Sequence, residues 1–290
     1  MSFLSCEEML AAARSQNISL SEAILRSDLA ESRLTEAHSR EMMHHLWQVM
    51  QATSRDYDPA QRSRSGLSGG DAARVEQAHQ EGKSFGGDYL AAVTAEALKT
   101  AECNACMKRI VAAPTAGSCG VLPAVLLPLA RSGEADEESI CDALYVAAGF
   151  GQVIAARATL AGAEGGCQAE VGIASAMAAS AAVELMGGNP QQCLDAASTV
   201  LMNMLGLVCD PVGGLVEYPC QNRNAAGVAN ALIAAELSLS GIRQLIPFDQ
   251  MLEAMYAVGK RLPAELRETA LGGCAATPAA CAACGLCSGN

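Results

Sequence analysis

Hydrophobic and polar residues follow a helical repeat along much of the chain. In residues 249–260, Leu252, Met255 and Tyr256 fall on one face of a helix, and residues 1–58 show the same amphipathic spacing. Long stretches that alternate Val, Ile or Thr with polar residues are absent. We therefore expect an all-α protein, a compact helical domain whose glycine-rich breaks form its loops.

Polar capping residues indicate where helices begin. Ser19 with Glu22 forms a capping-box pattern, and Asn189 is followed by Pro190 and Gln192 at the first and third helical positions. Other helices are predicted for residues 88–111, 221–239 and 249–260. The expected organisation is an N-terminal helical segment packed on the domain or on a partner chain (1–60), a main domain (61–277) and a cysteine-rich tail (278–290).

Composition narrows the class of protein. The residues are 51% hydrophobic but only 3% aromatic, which predicts a core of small and aliphatic side chains between closely spaced helices. A net charge of −12 argues against binding to nucleic acid or anionic membranes. The start of the chain lacks the basic region of a secretory signal, and the longest apolar run, 119–130, is too short to span a bilayer. We expect a soluble, cytoplasmic protein.

The chain contains 13 cysteines, which the cytosol would keep as thiols. Cys6, Cys141 and Cys193 lie within helical patterns and are expected to pack in the core. Cys103 and Cys106 share one helical face, so they could form a metal-binding pair or pack in the core.

Three other cysteines lie in polar, glycine-rich breaks and are candidate metal ligands. Cys209 and Cys220 are 11 positions apart, near the two ends of a predicted loop at 209–224. Cys167 lies in a second break, Gly162–Glu170. The loop at 209–224 ends in three side-chain donors that could bind sulfide, thiolate or a carboxylate: Asn222, Arg223 and Asn224.

Two further breaks carry hydroxyl groups. Ser65 and Ser68 lie in the stretch QRSRSGLSGG, which either aims backbone N–H groups at an anion or is a plain loop between helices. Thr115 and Ser118 precede an apolar helix, where they either cap it or hold a carboxylate.

Three long motifs carry a family resemblance: IVAAPTAGSCGVLPAVL, AGAEGGCQAEVG and LGLVCDPVGGLVEYPCQNRN. They resemble the α chain of the iron–sulfur-dependent L-serine dehydratases, and the resemblance runs from about Arg62 to Thr277. It implies that Cys167, Cys209 and Cys220 hold a [4Fe–4S] cluster and that 61–277 is the catalytic domain. It also favours substrate binding by Ser65 and Ser68. We expect Thr115 and Ser118 to help hold the substrate as well, because the start of the helix that follows them favours a carboxylate.

The resemblance implies a reaction and a partner. Three cysteine ligands leave one iron of the cluster with an open position. That iron can act as a Lewis acid on the hydroxyl group that L-serine loses on its way to pyruvate and ammonia. The segments with the candidate ligands contain no histidine base. In the family a β chain or fused β domain carries a Ser-Ser-Ser-His-Thr motif, which this chain lacks. We expect a β subunit that completes the site around a small amino-acid substrate.

Two other functions stay open at this stage. One is a pyridoxal-phosphate dehydratase with Lys83 as the Schiff base, although such enzymes usually alternate strands and helices. The other is a non-catalytic iron–sulfur electron carrier or sensor, which would need a fourth protein ligand.

The C-terminal tail departs from the family pattern. Cys281, Cys284 and Cys287 have the C-x₂-C-x₂-C spacing of ferredoxin loops, and Cys274 could replace the missing fourth cysteine. Three alternatives stay open: a disordered tail, a second metal or cluster site, or a tail cysteine, with Cys287 favoured, that occupies the open iron position until substrate displaces it.

Overall fold

The computed structural model describes residues 3–284. This part of the chain contains α-helices and short 3-10 helices but no β-strand, which confirms the all-α prediction for the described residues. The α-helices are α1 Cys6–Gln16, α2 Leu20–Ser32, α3 Glu36–Arg55, α4 Asp71–Gln80, α5 Gly87–Ala105, α6 Val121–Ser132, α7 Glu137–Arg157, α8 Gly162–Gly165, α9 Val171–Leu185, α10 Pro190–Asn203, α11 Cys220–Leu239, α12 Phe248–Arg261 and α13 Pro278–Cys284.

Helix α9 lies at the centre of the core. Every residue from Val171 to Val183 is buried, because α9 packs against α6, α7, α10 and α11. A helix that is buried on all sides needs apolar or small residues all around it, and α9 is rich in alanine. It begins just after the break that carries Cys167, so the core helix fixes one side of the candidate site.

The three N-terminal helices pack on the rest of the chain. Helix α2 lies against α7, and Trp47 of α3 is among the largest fully buried side chains. The Asp249 carboxylate of α12 accepts hydrogen bonds from the backbone N–H groups of Cys6 and Glu7 at 3.1 and 3.0 Å. It thereby satisfies two donors that the first turn of α1 leaves without intrahelical partners. The domain boundaries predicted at residues 60 and 277 stay predictions.

Both predicted helix caps are present. The Asn189 side chain accepts from the Gln192 backbone N–H while the Gln192 side chain accepts from that of Asn189, with Pro190 in the first turn. The Ser19 hydroxyl accepts from the backbone N–H of Glu22. The bonds are reciprocal only at Asn189; at Ser19 the return bond of the predicted capping box is absent, because the Glu22 carboxylate accepts from Arg26 instead.

Helix α5 is shorter than predicted, and the expected end at residue 111 is wrong. It ends at Ala105 because Met107 takes a left-handed conformation, with φ of 60°. The Lys108 N–H then bonds back to the Cys103 carbonyl at 2.9 Å, as in a Schellman C-cap. No glycine marks this end in the sequence, which is why the helical pattern appears to continue.

Helix α7 is long and apolar enough to cross a membrane, with a mean hydropathy of 1.4 over its most apolar stretch. It is the only such helix in residues 3–284. However, 61% of that stretch is buried inside the fold, where α7 packs against α2 and α9. This is the environment of a core helix.

Candidate metal centre

The break around Cys167 packs directly against the segment that leads to Cys209. The Gln168 backbone N–H donates to the Leu207 carbonyl at 3.0 Å. Gly166 has φ of 77°, and a Cβ there would lie 2.6 Å from that same carbonyl oxygen. Only glycine fits this conformation and this approach without strain. The two cysteine-bearing segments are therefore held together by their backbones.

Cys167, Glu170 and Cys209 form one compact group of donors. One sulfur or carboxylate oxygen from each lies within 4.8 Å of the other two, and the Cys209 Sγ is 3.9 Å from a Glu170 oxygen. Both cysteines are buried. In residues 3–284 this is the only group of three or more His, Cys, Asp or Glu donors that meets this distance. Such a set suits a borderline-soft metal ion or an iron–sulfur centre.

Cys220 lies near this group but outside it. It is buried, and it is the first residue of α11. The predicted loop at 209–224 therefore ends at Pro219, so residues 220–224 are helical. A proline is tolerated just before this helix because the first N–H groups of a helix have no intrahelical partner. The missing N–H of Pro219 therefore costs no helical hydrogen bond.

Arg223 joins the cysteine group to a buried carboxylate. Its Nη1 donates to the Cys167 sulfur at 3.4 Å and to the Val208 carbonyl at 3.0 Å. Its Nη2 lies 2.7 Å from an oxygen of Asp210, whose side chain is 2% exposed. The guanidinium therefore places positive charge beside the Cys167 sulfur and is itself fixed by Asp210.

A hydrogen bond between the Cys167 and Cys209 thiols moves their pKa values apart. It lowers the pKa of Cys167; burial opposes this shift, and the Arg223 charge reinforces it. The same bond, together with burial, raises the pKa of Cys209. Burial raises the pKa of Cys220 to about 12, and the charge at Cys167 adds to that effect. Cys167 is thus the one of the three that most readily becomes a thiolate.

Asn224 and Asn222, predicted as equivalent donors, occupy different environments. The buried Asn224 amide donates to the Gly117 and Cys220 carbonyls, each at 2.8 Å, and its oxygen accepts from the Gly120 N–H at 2.8 Å. It therefore fixes the loop at 115–120 against the start of α11. Asn222 lies on the exposed side of the same helical turn.

Ser65 and Ser68 lie in a loop that a buried carboxylate stabilises. The Ser65 and Ser63 hydroxyls each donate to Glu217 at 2.6 Å, so this loop is attached to the segment between Cys209 and Cys220. The Ser68 hydroxyl is buried and has no hydrogen-bond partner among residues 3–284. A buried hydroxyl without a partner is a group that a ligand or water could satisfy.

Thr115 and Ser118 lie close together beside the donor group. Their hydroxyl oxygens are 3.1 Å apart, and Thr115 also hydrogen-bonds the Glu170 carboxylate. Burial raises the pKa of Glu170, whereas this hydrogen bond lowers it. The hydroxyls of the 115–118 loop are therefore adjacent to the candidate metal donors, whereas Ser65 is linked to the site through Glu217.

The segment after α12 returns to the site. Cys209 and Arg267 form an isolated parallel β-bridge, and the backbone N–H of Cys274 donates to Asp210 at 2.6 Å. Helix α13, which contains Cys281 and Cys284, packs on the short 3-10 helix at 212–214. The first part of the cysteine-rich tail is therefore helical and packed, and Cys287 lies outside the described residues.

Two alternatives from the sequence receive no structural support. Cys103 is buried with its thiol 3.6 Å from the Thr53 carbonyl, and neither it nor Cys106 belongs to a metal-donor group within residues 3–284. Lys83 lies on the surface, where it pairs with Glu81 at 2.7 Å. That position does not suit a buried Schiff-base lysine.

Three acidic residues of this region are not identifiable from spacing alone. Glu170 contacts the predicted ligand Cys209, and Asp210 pairs with Arg223, which contacts Cys167. Glu217 accepts a hydrogen bond from the substrate-binding candidate Ser65. The available signal is an acidic residue close to each cysteine: Glu170 follows Cys167, Asp210 directly follows Cys209, and Glu217 precedes Cys220.

Comparison with protein families matches residues 15–287 to the family described as serine dehydratase alpha chain. The chain belongs to this family. It is 42% identical over 276 residues to the probable L-serine dehydratase alpha chain of Bacillus subtilis, covering 95% of this chain and 92% of that protein. It is 44% identical over 269 residues to the L-serine dehydratase alpha chain of Peptoniphilus asaccharolyticus, covering 92% of each.

A relative from Escherichia coli, L-serine dehydratase 1, is 35% identical over 287 residues. This match covers 94% of the present chain but 61% of the E. coli protein. Together these relatives confirm the resemblance that the three motifs carry. They support the conclusion that the chain is part of an enzyme that dehydrates serine.

Proposed function

We propose that this chain is the α subunit of an L-serine dehydratase that holds a [4Fe–4S] cluster through Cys167, Cys209 and Cys220. The reaction converts L-serine to pyruvate and ammonia. The observation that carries the proposal is the convergence of buried Cys167 and Cys209 with Glu170, in a chain of the serine dehydratase alpha-chain family.

The donor set fits such a cluster. Thiolates are the usual protein ligands of iron–sulfur clusters, and the three candidate thiols are buried. Gly162 lies against the group, where a Cβ would be 2.5 Å from a Glu170 oxygen and 2.9 Å from the Cys209 sulfur. A side chain at this position would collide with the donors, so glycine lets the backbone approach them this closely. When bound, a three-thiolate cluster supplies an iron with an open position that acts as a Lewis acid on a hydroxyl group.

The surrounding residues have separate roles in this proposal. Arg223 holds the Cys167 sulfur and stabilises its thiolate form. Asn224 fixes the 115–120 loop next to Cys220. We assign binding of the serine carboxylate or ammonium to Thr115 and Ser118, which border the donors, and to Ser65 and Ser68 on the neighbouring loop. Asn222 lies on the exposed side of α11 and is given no role at the metal.

The base that removes the Cα proton is assigned to a β subunit. The name "alpha chain" carried by the two relatives from B. subtilis and P. asaccharolyticus fits an enzyme of more than one chain. The four histidines of this chain all precede residue 80, and none belongs to the donor group at Cys167. The proposed enzyme is cytoplasmic, where its thiols would stay reduced.

Serine replacement of each proposed ligand tests the function. We expect Cys167→Ser, Cys209→Ser and Cys220→Ser to lower bound iron and to abolish pyruvate formation from L-serine, measured anaerobically with the β chain present. Cys193→Ser, at a buried thiol of α10, is the matched control and should keep both iron and activity. Full iron content and activity in Cys209→Ser would overturn the assignment.

A further inference from the structure

Glu170 is closer to the predicted ligands than its place in the sequence indicates. Its carboxylate and the sulfurs of Cys167 and Cys209 lie within 4.8 Å of one another, whereas Cys220 is not in this group. Within residues 3–284, the compact donor set is therefore two cysteines and one glutamate, rather than three cysteines.

The distances suit a single metal ion. In a tetrahedral site with metal–sulfur bonds of about 2.3 Å and metal–oxygen bonds of about 2.0–2.2 Å, neighbouring ligand atoms lie roughly 3.5–3.8 Å apart. The Cys209 sulfur is already 3.9 Å from the Glu170 oxygen. Side-chain shifts of about 1 Å or less would bring all three donors to bonding distance.

Glu170 is held in this position from several directions. Thr115 hydrogen-bonds its carboxylate. A Cβ on Gly162 would lie 2.5 Å from one carboxylate oxygen, and a Cβ on Gly117 would lie 3.4 Å from the other. The backbones at these two glycines therefore flank the carboxylate, which leaves it facing the cysteines without a paired lysine or arginine among the described contacts.

The local charge balance also favours a cation. Glu170 and Glu268 act on the Cys209 thiol as negative charges, whereas Arg223, the positive group that contacts Cys167, is already paired with Asp210. Buried negative groups without sufficient positive charge are unstable unless they are protonated or bind a metal.

We propose that the chain without a cluster binds one divalent transition-metal ion through Cys167, Cys209 and Glu170, with Cys220 free. The expected ions are Fe²⁺, Co²⁺ or Zn²⁺, which accept mixed thiolate and carboxylate ligands. Binding releases the two thiol protons to solvent, involves no redox change, and leaves the fourth position to water. This inference goes beyond the proposed function because it concerns the state before a cluster is present.

The test is an anaerobic Co²⁺ titration of the full-length, metal-free chain, followed by thiolate-to-cobalt absorbance. We expect one ion per chain in the wild type and in Cys220→Ser, and loss of that absorbance in Cys167→Ser and Cys209→Ser. Glu170→Gln should weaken binding at least about tenfold, since even outer-shell changes at metal sites cost 10–100-fold. Glu164→Gln, an exposed glutamate of α8, is the matched control and should bind as wild type does.

X-ray absorption of the cobalt adduct gives a second measurement, and circular dichroism checks that each variant is folded. Two sulfur ligands with oxygen ligands support the proposal. Three sulfur ligands, loss of binding in Cys220→Ser, or equal affinity in Glu170→Gln and Glu164→Gln would overturn it. These outcomes are separate from the proposed function, which depends on the iron and pyruvate produced by the reconstituted enzyme.

Discussion

Replacement of Arg223 by glutamine tests the electrostatic structure of the site. The change removes the 2.7 Å ion pair with Asp210 and the 3.4 Å contact to the Cys167 sulfur. The Asp210 side chain is only 2% exposed, and that of Arg223 is 15% exposed, so solvent cannot easily replace the lost charge. Asp210 keeps one backbone donor, the Cys274 N–H at 2.6 Å.

The expected loss of stability follows from this burial. Breaking a buried ion pair by removing one partner costs about 3–5 kcal/mol, because the other charge is left uncompensated. At roughly 2 °C per kcal/mol for a chain of this size, the midpoint of thermal unfolding should fall by about 6–10 °C. Asp210→Asn combined with Arg223→Gln should recover part of this loss, because an amide can still accept from Cys274 without carrying a buried charge.

Thermal and urea unfolding of the metal-free chain, followed by circular dichroism, provide the assay. Arg55→Gln is the matched control, since Arg55 and Asp56 form an exposed pair with side chains 71% and 65% accessible. Such a pair contributes about 0–1 kcal/mol. An Arg223→Gln chain that loses less than about 1 kcal/mol, or a double variant no more stable than the single one, would refute this account of the site.

Three further predictions concern the donors, the substrate and oxygen. Gly162→Ala should strongly reduce iron incorporation, because its Cβ would lie 2.5 Å from a Glu170 carboxylate oxygen. Gly117→Ala, whose Cβ would lie 3.4 Å from the other oxygen, should retain most of the iron. Equal iron in the two variants would contradict this packing argument. Ser65→Ala should keep its iron but lose about tenfold to a hundredfold in kcat/KM, the cost of one hydrogen bond to a charged group, and unchanged kinetics would make this loop structural only. Activity should decay in air and return with ferrous iron and thiol, so an enzyme equally active after long aeration would argue against an open iron.

The sequence predicts the helical fold because its information is local. The Asn189–Gln192 cap and the helix predicted at 249–260 depend on residues a few positions apart, and both are present in the structure. The end of α5 is missed because Met107 adopts φ of 60° where no glycine signals it.

The donor arrangement depends on contacts between distant segments, so the sequence predicts less of it. Glu170 meets Cys209 only because the loop at 166–168 packs against Leu207. The different environments of Asn222 and Asn224 follow from α11 beginning at Cys220, which turns one side chain outward and the other inward. A loop prediction for 209–224 could not separate them.

We propose that this chain holds a [4Fe–4S] cluster with one open iron that meets L-serine. Mössbauer spectroscopy of the ⁵⁷Fe-reconstituted enzyme, with the β chain present, tests it most directly. We predict about four iron ions per chain, with the signal of a single iron changed by L-serine and unchanged by D-serine. Iron whose spectrum is the same with and without L-serine, or a chain that turns over L-serine without iron, would contradict the claim.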